Sequence, residues 1–381
     1  MFSYMNIRCL LPLLAALLLN GCRTGSSGPE AACLIRMDRA TKLREQAPLN
    51  VDGFVKLQTP DEALLGEIVK VIPSGDYLYV LTAAPRNEVF LFTAEGCLLR
   101  KIPKGRANNE IIYPTDISVD EASGDLYILD NYRTVKEFTA KGVFRRSDTF
   151  REPQFFLEHT GSGDRLIFYN QNARHADGGS KCSVKSMGRG KMQGIYRDGA
   201  AFDGAFNPGY LTKFDRDSLL VCPIFSDTIY LYAAGRLAPR FVFDFAGKSA
   251  NTPQRLQNFR DFFDYASATR SGAFCSGARF VTFIGGKMVF ALGGREWFVY
   301  EQHTGRLTAH EHLFDDLPDL YAKIGQDSRR AIYAYDIAHL LGYFERHPPQ
   351  TDMGRRIAAA CTDEEENPIL VFATIRAGIP E

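Results

Sequence analysis

A strand-and-turn unit that recurs along the chain is the strongest constraint on the fold. In Tyr113–Phe144, the apolar run Leu126–Leu129 has turn residues on both sides, a pattern that predicts a strand buried on both faces. Residues Thr134–Thr139 then alternate in character, which is typical of a half-buried strand. Glycines at 124 and 142 occupy the two turns, where a positive φ costs them nothing. The unit therefore predicts three or four antiparallel strands.

Copies of this unit begin near Ser74, Arg216 and Gly285, and a weaker copy begins at Gly163. Each copy has a polar turn, an apolar strand, a break, a second strand and a glycine hairpin. The hairpin glycines are Gly96, Gly142, Gly190, Gly235 and Gly305. All but the last interval fall in the range of about 40–50 residues that indicates a β-propeller, with one such unit per blade.

The late part of the chain also contains helical patterns. In Asn251–Tyr265, Thr252 is a plausible N-cap and Pro253 takes the first helical position, so we expect a helix packed on a face of the propeller. Three further segments have helical patterns: Asp315–Lys323, Asp336–Arg346 and Met353–Cys361.

The segment Asn367–Ile375 predicts a closing strand, and Ala331–Tyr335 begins the last blade. An open ring leaves unpaired strand edges, so we expect the last blade to combine this C-terminal strand with an N-terminal one. The predicted fold is all-β: a six-bladed β-propeller over residues 32–381, with short helical insertions in the late blades.

The N-terminus has the features of an export signal. Arg8 precedes the ten-residue apolar core Leu10–Leu19, which is too short to span a bilayer. Leu19–Cys22 resembles a bacterial lipobox, which implies a signal peptide at 1–21, lipidation of Cys22 and a Gly/Ser-rich tether at 22–31. The alternative is an ordinary cleaved signal peptide with an incidental cysteine. Arg23 after the cysteine implies the outer membrane, and we expect the protein to face the periplasm.

Charge and cysteine content exclude several classes of protein. Lys plus Arg and Asp plus Glu are equal at 45 each, so the chain has no overall field to attract nucleic acid. After removal of Cys9 and lipidation of Cys22, six cysteines remain, and no pair has CxxC spacing. We therefore predict neither a disulfide framework nor a zinc site.

The repeat and the N-terminus together resemble a known group of proteins. Tyr113–Phe144 resembles an NHL-type repeat, and almost the whole chain is similar to six-bladed β-propeller lipoproteins of Gram-negative gut anaerobes, within the NHL and TolB-like group. The lipobox at Cys22, the blade Ser226–Phe245, the late helical insertions and the ending Asp363–Val371 carry the resemblance. The loop Gly105–Tyr113 departs from the family pattern. The resemblance implies fold and location, and little chemistry.

Polar residues that follow apolar strands are the candidate ligand-binding residues. If those strands face the central channel, their ends form a ring of polar groups at its mouth. A long polar loop in the third blade adds two more candidates, because binding residues concentrate on loops. Turn capping or a solvated loop is the alternative for each. The candidates are Arg86, Asn87, Asp130, Asn131, Arg133, His175, Asp177, Ser226 and Asp227.

Other motifs have simple structural explanations. His310 and His312 alternate along a strand and can bind a metal together, but a surface pair without a third ligand is the preferred interpretation. Trp297 beside Tyr300 is either a sugar-stacking platform or core packing, and we favour the core. The acidic run Asp363–Glu366 is either a solvated charge run or a weak cation site, and we favour the solvated run. No motif for acyl or metal-dependent hydrolysis stands out, so we predict no catalytic residue, metal or cofactor.

Two functions are compatible with the sequence. The first is a lipid-anchored periplasmic module that binds or scaffolds a protein, peptide or glycan and is not an enzyme. The second is a propeller enzyme, of the lactonase, lyase or glycan-processing type, with an active site at the channel mouth. A propeller hosts many functions, so the fold does not choose between them. A channel lined by apolar residues and lacking convergent acids or histidines would count against the enzyme.

Overall fold

Strands account for most of the structure. The computed structural model describes residues 32–376, apart from 44–45, 61–63, 152, 162–165, 172–179, 187–192, 197–209, 224–225, 293–295 and 321–322. Within this part of the chain, 26 strands form six separate sheets. We number the sheets I to VI in chain order, after the repeated units.

Sheets I to III are four-stranded meanders in which sequential strands pair antiparallel. Sheet I contains β4 (Ile68–Ser74), β5 (Tyr77–Thr82), β6 (Val89–Thr93) and β7 (Leu98–Lys101). Sheet II contains β8 (Pro114–Val119), β9 (Leu126–Asp130), β10 (Thr134–Phe138) and β11 (Phe144–Thr149). Sheet III contains β12 (Phe156–His159), β13 (Leu166–Gln171), β14 (Ser180–Ser186) and β15 (Gln193–Tyr196).

Sheets IV to VI follow the same plan, but each gains one strand from the N-terminal segment. Sheet IV contains β16 (Tyr210–Lys213), β17 (Ser218–Cys222), β18 (Thr228–Ala233) and β19 (Arg236–Asp244), with β1 (Cys33–Arg36). Sheet V contains β20 (Arg279–Ile284), β21 (Lys287–Ala291), β22 (Trp297–Glu301) and β23 (Leu307–His310), with β2 (Thr41–Lys42). Sheet VI contains β24 (Gly325–Gln326), β25 (Ala331–Tyr335) and β26 (Ile369–Ile375), with β3 (Leu49–Lys56).

The first strand of each sheet lies innermost. Contacts link β4 to β8, β8 to β12, β12 to β16, β16 to β20, and β24 back to β4. The Val71 amide donates a 2.7 Å hydrogen bond to the Ile324 carbonyl at this last junction. A Cβ on Gly325 would lie 2.0 Å from the Val71 carbonyl oxygen, so only glycine permits the approach. Sheets arranged around a common centre in this way form a β-propeller.

The N-terminal segment covers the outer edges of three successive sheets. β1 pairs parallel with β19, and β2 pairs parallel with β23. β3 pairs antiparallel with β26, from Leu49 opposite Ile375 to Lys56 opposite Ile369. The predicted joining of an N-terminal with the C-terminal strand is therefore confirmed. These pairings satisfy backbone groups that open edges would leave exposed.

Three predicted helical segments are helical in the structure. α1 (Pro253–Leu256) and α2 (Phe262–Arg270) form the first insertion, and the Thr252 side chain caps α1 by accepting from the Arg255 amide. α3 (Ile337–Arg346) and α4 (Asp352–Ala360) form the others. None of the helices in the described residues is long and apolar enough to cross a membrane.

The prediction of a helix at Asp315–Lys323 is wrong for its described residues. Here aspartate side chains accept hydrogen bonds from backbone amides of other segments, whereas on a helix they would be exposed to solvent. Asp316 accepts from Gln350 and Thr351, and Asp319 accepts from Leu313 at 2.6 Å. Short acidic side chains compete with helical backbone bonding in this way, and Pro318 further disfavours a helix.

Candidate functional site: a charged central cavity

A cavity of about 570 Å³ lies among the innermost strands. β4, β8, β12, β16 and β20 all contribute to its wall, together with the segment 323–328 that contains β24. Much of the wall is apolar, with Val71, Leu211 and Phe280 among the lining residues. The charged residues that line it are Lys70, Asp116, Glu121, Glu158, Lys213, Arg279, Lys323 and Asp327.

Three of these residues hold equivalent places on consecutive strands. Lys70, Asp116 and Glu158 are each the third residue of their strand, in β4, β8 and β12. The Lys70 ammonium lies 2.9 Å from Asp116 Oδ1 and 2.8 Å from Glu158 Oε1. This triad joins three neighbouring sheets at the cavity wall.

Backbone and hydroxyl donors complete the triad. Asp116 Oδ2 accepts from the Leu157 amide at 2.7 Å, and Oδ1 accepts from its neighbour Ile117 at 2.8 Å. The Ser118 hydroxyl donates to Glu158 Oε2 at 3.1 Å. Each buried carboxylate oxygen in the triad therefore has a donor, as a stable buried ion pair requires.

The triad holds two carboxylates and one ammonium, and the pKa values follow from that imbalance. Burial raises the pKa of Asp116 to about 6, and the nearby Glu158 charge adds to the rise, against the opposing effect of Lys70. Burial would lower the pKa of Lys70, but the two carboxylates outweigh it and hold its pKa above the usual range. Lys70 thus stays cationic at physiological pH.

A second lysine enters the cavity in different surroundings. Lys323 Nζ donates to the Thr212 hydroxyl at 2.6 Å and to the Gln326 side-chain oxygen. Thr212 in turn donates to Gln326 Oε1 at 2.9 Å, and Gln326 Nε2 donates to the Lys213 carbonyl at 3.1 Å. All the side-chain groups that bond Lys323 here are neutral.

No carboxylate among the described residues forms an ion pair with Lys323, and its pKa follows from that. Burial lowers its pKa to about 7, because protein atoms surround an ammonium that only distant charges compensate. The side chain still keeps some exposure, since it faces the cavity. Cys222 lines the same wall, but burial raises the pKa of its thiol to about 12, which makes it a poor nucleophile.

An irregularity in β20 places two further residues at the cavity. The pairing of β20 with β21 shifts register between Arg279 and Thr282. Within this bulge Phe280 has φ of 55°, a left-handed conformation that is rare for a bulky residue. Arg279 and Phe280 both line the cavity, and one terminal nitrogen of the Arg279 guanidinium is buried with no hydrogen-bond partner among the described residues.

The ligand-binding residues predicted from sequence lie elsewhere, where the structure describes them. Asp130 ends β9, the second strand of sheet II, and is buried. Its carboxylate accepts from the amides of Ile112 and Tyr113, at 3.0 and 2.7 Å, and so anchors the preceding loop. Asn131 and Arg133 follow it as exposed residues. None of the three lines the central cavity.

The equivalent residues in sheets I and IV also form hydrogen bonds within turns or to neighbouring segments. The Arg86 guanidinium donates to the Leu64 carbonyl, and Asn87 is buried with its Nδ2 3.4 Å from the Pro114 carbonyl. Ser226 Oγ accepts from the Thr228 amide at 3.0 Å, and Asp227 Oδ1 accepts from Asn251 at 2.6 Å. None of these four residues lines the central cavity. His175 and Asp177 lie outside the described residues.

The remaining motifs have structural roles. His310 is buried, with Nε2 2.9 Å from the Thr308 hydroxyl and Nδ1 2.6 Å from the Gln46 carbonyl, whereas His312 is exposed. The two histidines therefore do not share a face. Trp297 is buried in the core, as expected. The described residues contain no group of three or more His, Cys, Asp or Glu side chains that could hold a metal ion.

The sequence interpretation missed the cavity residues because it took the apolar strand of each unit as the innermost. That strand, such as β9, is second in its sheet and is buried between neighbouring sheets. The innermost strands are more polar. An alignment of the repeats on these preceding strands would have placed Lys70, Asp116, Glu158 and Thr212 at equivalent positions.

Similar structures agree with this fold. A protein from Bacteroides fragilis, provisionally named an exported protein, matches with a TM-score of 0.70 at 17% identity, over 91% of this chain and all of that one. This likeness shows the fold alone. BamB from Moraxella catarrhalis matches at TM-score 0.40 and 12% identity, over 74% of this chain and 72% of BamB, which is too weak to carry an argument. No characterised protein matched the sequence.

A sequence family covers most of the chain. The profile of a family described as a domain of unknown function, DUF4934, matches residues 53–374, which include strands of every sheet of the propeller. The match is to this family and not to the NHL or TolB-like propellers that the repeats resemble. The chain therefore belongs to the DUF4934 family.

Proposed function

We propose that this protein is a lipid-anchored binding module of the cell envelope, and that its central cavity holds a small ligand or one group of a larger peptide or glycan. In this proposal the six sheets are the six blades of a closed propeller. The cavity itself carries the proposal. Its volume of about 570 Å³ is within the range of small-molecule sites, and charged groups converge on it from several strands.

A purely structural core would not favour this wall. Burying charged groups costs free energy unless they are paired, and apolar side chains fill a core more cheaply. Here Lys70, Asp116, Glu158 and Lys323 all line the cavity. A binding site accounts for both the space and the charges.

The envelope location rests on the N-terminus and on a similar protein. The lipobox at Cys22 supports an anchor in the outer membrane, with the propeller facing the periplasm. The similar protein from Bacteroides fragilis carries a provisional assignment to export. Cell fractionation tests the anchor: we expect the native protein with the membranes and Cys22→Ser in the soluble fraction, with Cys97→Ser as the control. Membrane retention of Cys22→Ser would contradict the anchor.

Native mass spectrometry tests the cavity. Protein isolated from its own membranes should carry a bound mass that is absent after denaturation. Val69 lines the cavity and is 43% exposed, so Val69→Trp should obstruct the space with little effect on folding. We expect this variant to lose the bound mass. The proposal fails if the native protein carries no bound mass, or if Val69→Trp retains the same bound mass.

One observation favours the alternative, an enzyme. An amine whose pKa is lowered to about 7 is a better nucleophile than an ordinary lysine, and Lys323 faces the cavity. Attack on a carbonyl compound would release water and form an imine. Incubation with pyruvate and cyanoborohydride should then fix a reduced adduct on Lys323. Absence of the adduct would remove this alternative and leave the binding proposal intact.

A further inference from the structure

Building on the proposed function, we propose that the ligand of the cavity is an organic carboxylate whose anionic group is recognised by Lys323 and Arg279. The proposal follows from which charges in the cavity wall already have partners and which do not. It adds the chemical class of the ligand and the two residues that select it.

Every carboxylate in the cavity wall is already paired. Asp116 and Glu158 share Lys70, at 2.9 and 2.8 Å. Glu121 forms an ion pair with Lys213, and Asp327 accepts from Arg330 at 2.7 Å. Each of these four carboxylates therefore already contacts a cation, although Asp116 and Glu158 share the same one.

Two cations of the wall have no such partner. Among the described residues, no carboxylate forms an ion pair with Lys323 or Arg279, whereas Lys70 and Lys213 have theirs. Lys323 bonds the neutral side chains of Thr212 and Gln326. Within the part of the chain that the structure describes, one guanidinium nitrogen of Arg279 is buried with no hydrogen-bond partner. Arg279 lines the cavity, so the anionic group of a ligand at the wall would pair with its guanidinium.

The charges that reach Lys323 through space do not replace a counterion. Glu158 favours its ammonium form, but Lys70 opposes it, and the Cys222 thiol stays protonated at neutral pH. Since burial disfavours the ammonium, an anion beside Lys323 would stabilise the protonated form. Ligand and proton should therefore bind together.

The apolar part of the cavity wall indicates the chemical nature of the rest of the ligand. Apolar side chains from several strands line the cavity, including Val71, Val119, Leu211, Phe280 and Ile324. An inorganic anion would leave this surface without contacts, and a neutral apolar molecule would leave the cations unpaired. A carboxylate attached to an apolar or aromatic body fits both parts.

Matched ligand pairs test the proposal on the full-length protein. The probes are benzoate, phenylacetate and indole-3-acetate, each compared with its primary amide by thermal unfolding and by calorimetric titration at millimolar concentrations. The members of a pair differ only in the charged group. We expect at least one acid to raise the melting temperature and to bind at least tenfold tighter than its amide at pH 6.

Variants assign the effect to the two cations. Lys323→Met and Arg279→Gln should each weaken binding of the acid tenfold or more, and should change binding of the amide by less than twofold. Lys42→Met is the matched control, because Lys42 is an exposed cation on β2, away from the cavity. Binding of the acid should also weaken from pH 6 to pH 8 in the native protein, as Lys323 loses its proton.

The outcomes separate the two proposals. If amides bind as well as acids, or if acids bind both variants like the native protein, the carboxylate proposal is wrong while a binding cavity stands. If no acid binds at all, the carboxylate proposal is equally wrong. The bound mass in native protein and its loss in Val69→Trp then decide the proposed function separately.

Discussion

Lys70 and Lys323 enter one cavity from neighbouring sheets, but they differ in what surrounds them. Lys70 lies between two buried carboxylates, of which Asp116 accepts from the Leu157 amide of the next strand and Glu158 accepts from the Ser118 hydroxyl. Lys323 contacts only a hydroxyl and an amide side chain among its direct partners. Lys70 therefore stabilises the ring of sheets. Lys323 is a buried charge with which no carboxylate of the described residues forms an ion pair.

The difference teaches how to separate structural from functional charge in a buried site. A paired ion is costly to remove, because its partners are left buried without compensation. An unpaired ion is costly to keep, and its removal relieves the fold. Removal of the Lys70 charge should therefore lower the stability of the fold. Removal of the Lys323 charge should raise the stability and weaken binding of the ligand.

The largest effect is expected from Lys70→Met. The substitution leaves the Asp116 and Glu158 carboxylates buried side by side, which should cost about 3–5 kcal/mol in the free energy of unfolding. Urea unfolding followed by the fluorescence of Trp297 measures it. Lys42→Met is again the control: its ion pair with Glu296 is exposed, so the loss should stay within about 0.5 kcal/mol. Equal losses of unfolding free energy in the two variants would contradict a structural role for the triad.

Lys323→Met should act in the opposite direction. The folded protein holds the pKa of Lys323 at about 7, below its usual value, so the buried ammonium destabilises the native state. That cost is complete below pH 7 and declines as the pH rises from 7 towards 10. We expect a gain of about 1–2 kcal/mol at pH 6 and a smaller gain at pH 9, measured by urea unfolding at both values. A loss of stability at pH 6 would make Lys323 a structural residue.

Glu158→Gln should have the smallest effect. The glutamine can still accept from Lys70, so stability at pH 7 should change by less than about 1 kcal/mol. The pKa of Asp116, raised to about 6, should fall when the neighbouring charge is removed. A carboxyl group with a raised pKa stabilises the folded state at low pH, and this contribution is lost as the pH rises through 6. The variant should therefore show a flatter dependence of stability on pH between 4 and 6.

The local patterns of the chain predicted local structure well. The unit Tyr113–Phe144 yields the strands β8 to β10, with β11 beginning at its last residue. The predicted hairpin glycines that the structure describes, at 96, 142, 235 and 305, all have positive φ, whereas Gly190 lies outside the described residues. Thr252 caps its helix, and Asn367–Ile375 contains the closing strand β26. These features depend on near neighbours, so alternation, turn chemistry and capping residues suffice to predict them.

The strand edges and the site depended on residues distant in the chain. No local pattern indicates that β1 and β2 extend two other sheets, because pairing at an outer edge is decided by the assembled ring. The polar residues after the apolar strands were expected at the channel, but Asp130 binds the loop before β8 instead. Its position at a strand end is visible in the sequence, whereas the direction it faces is not.

The sequence by itself determined the repeating strands, the turns, three of the four late helical segments and the joining of the two ends of the chain, since each follows from short-range preferences and from the need to pair strand edges. Only the tertiary structure decided which charges share the cavity. Lys70, Asp116, Glu158, Thr212 and Lys323 come from different repeats and meet only when the innermost strands close into a ring. Whether a buried charge finds a partner there depends on that closure, because ionic interactions act over a few ångströms of space, whatever the separation along the chain.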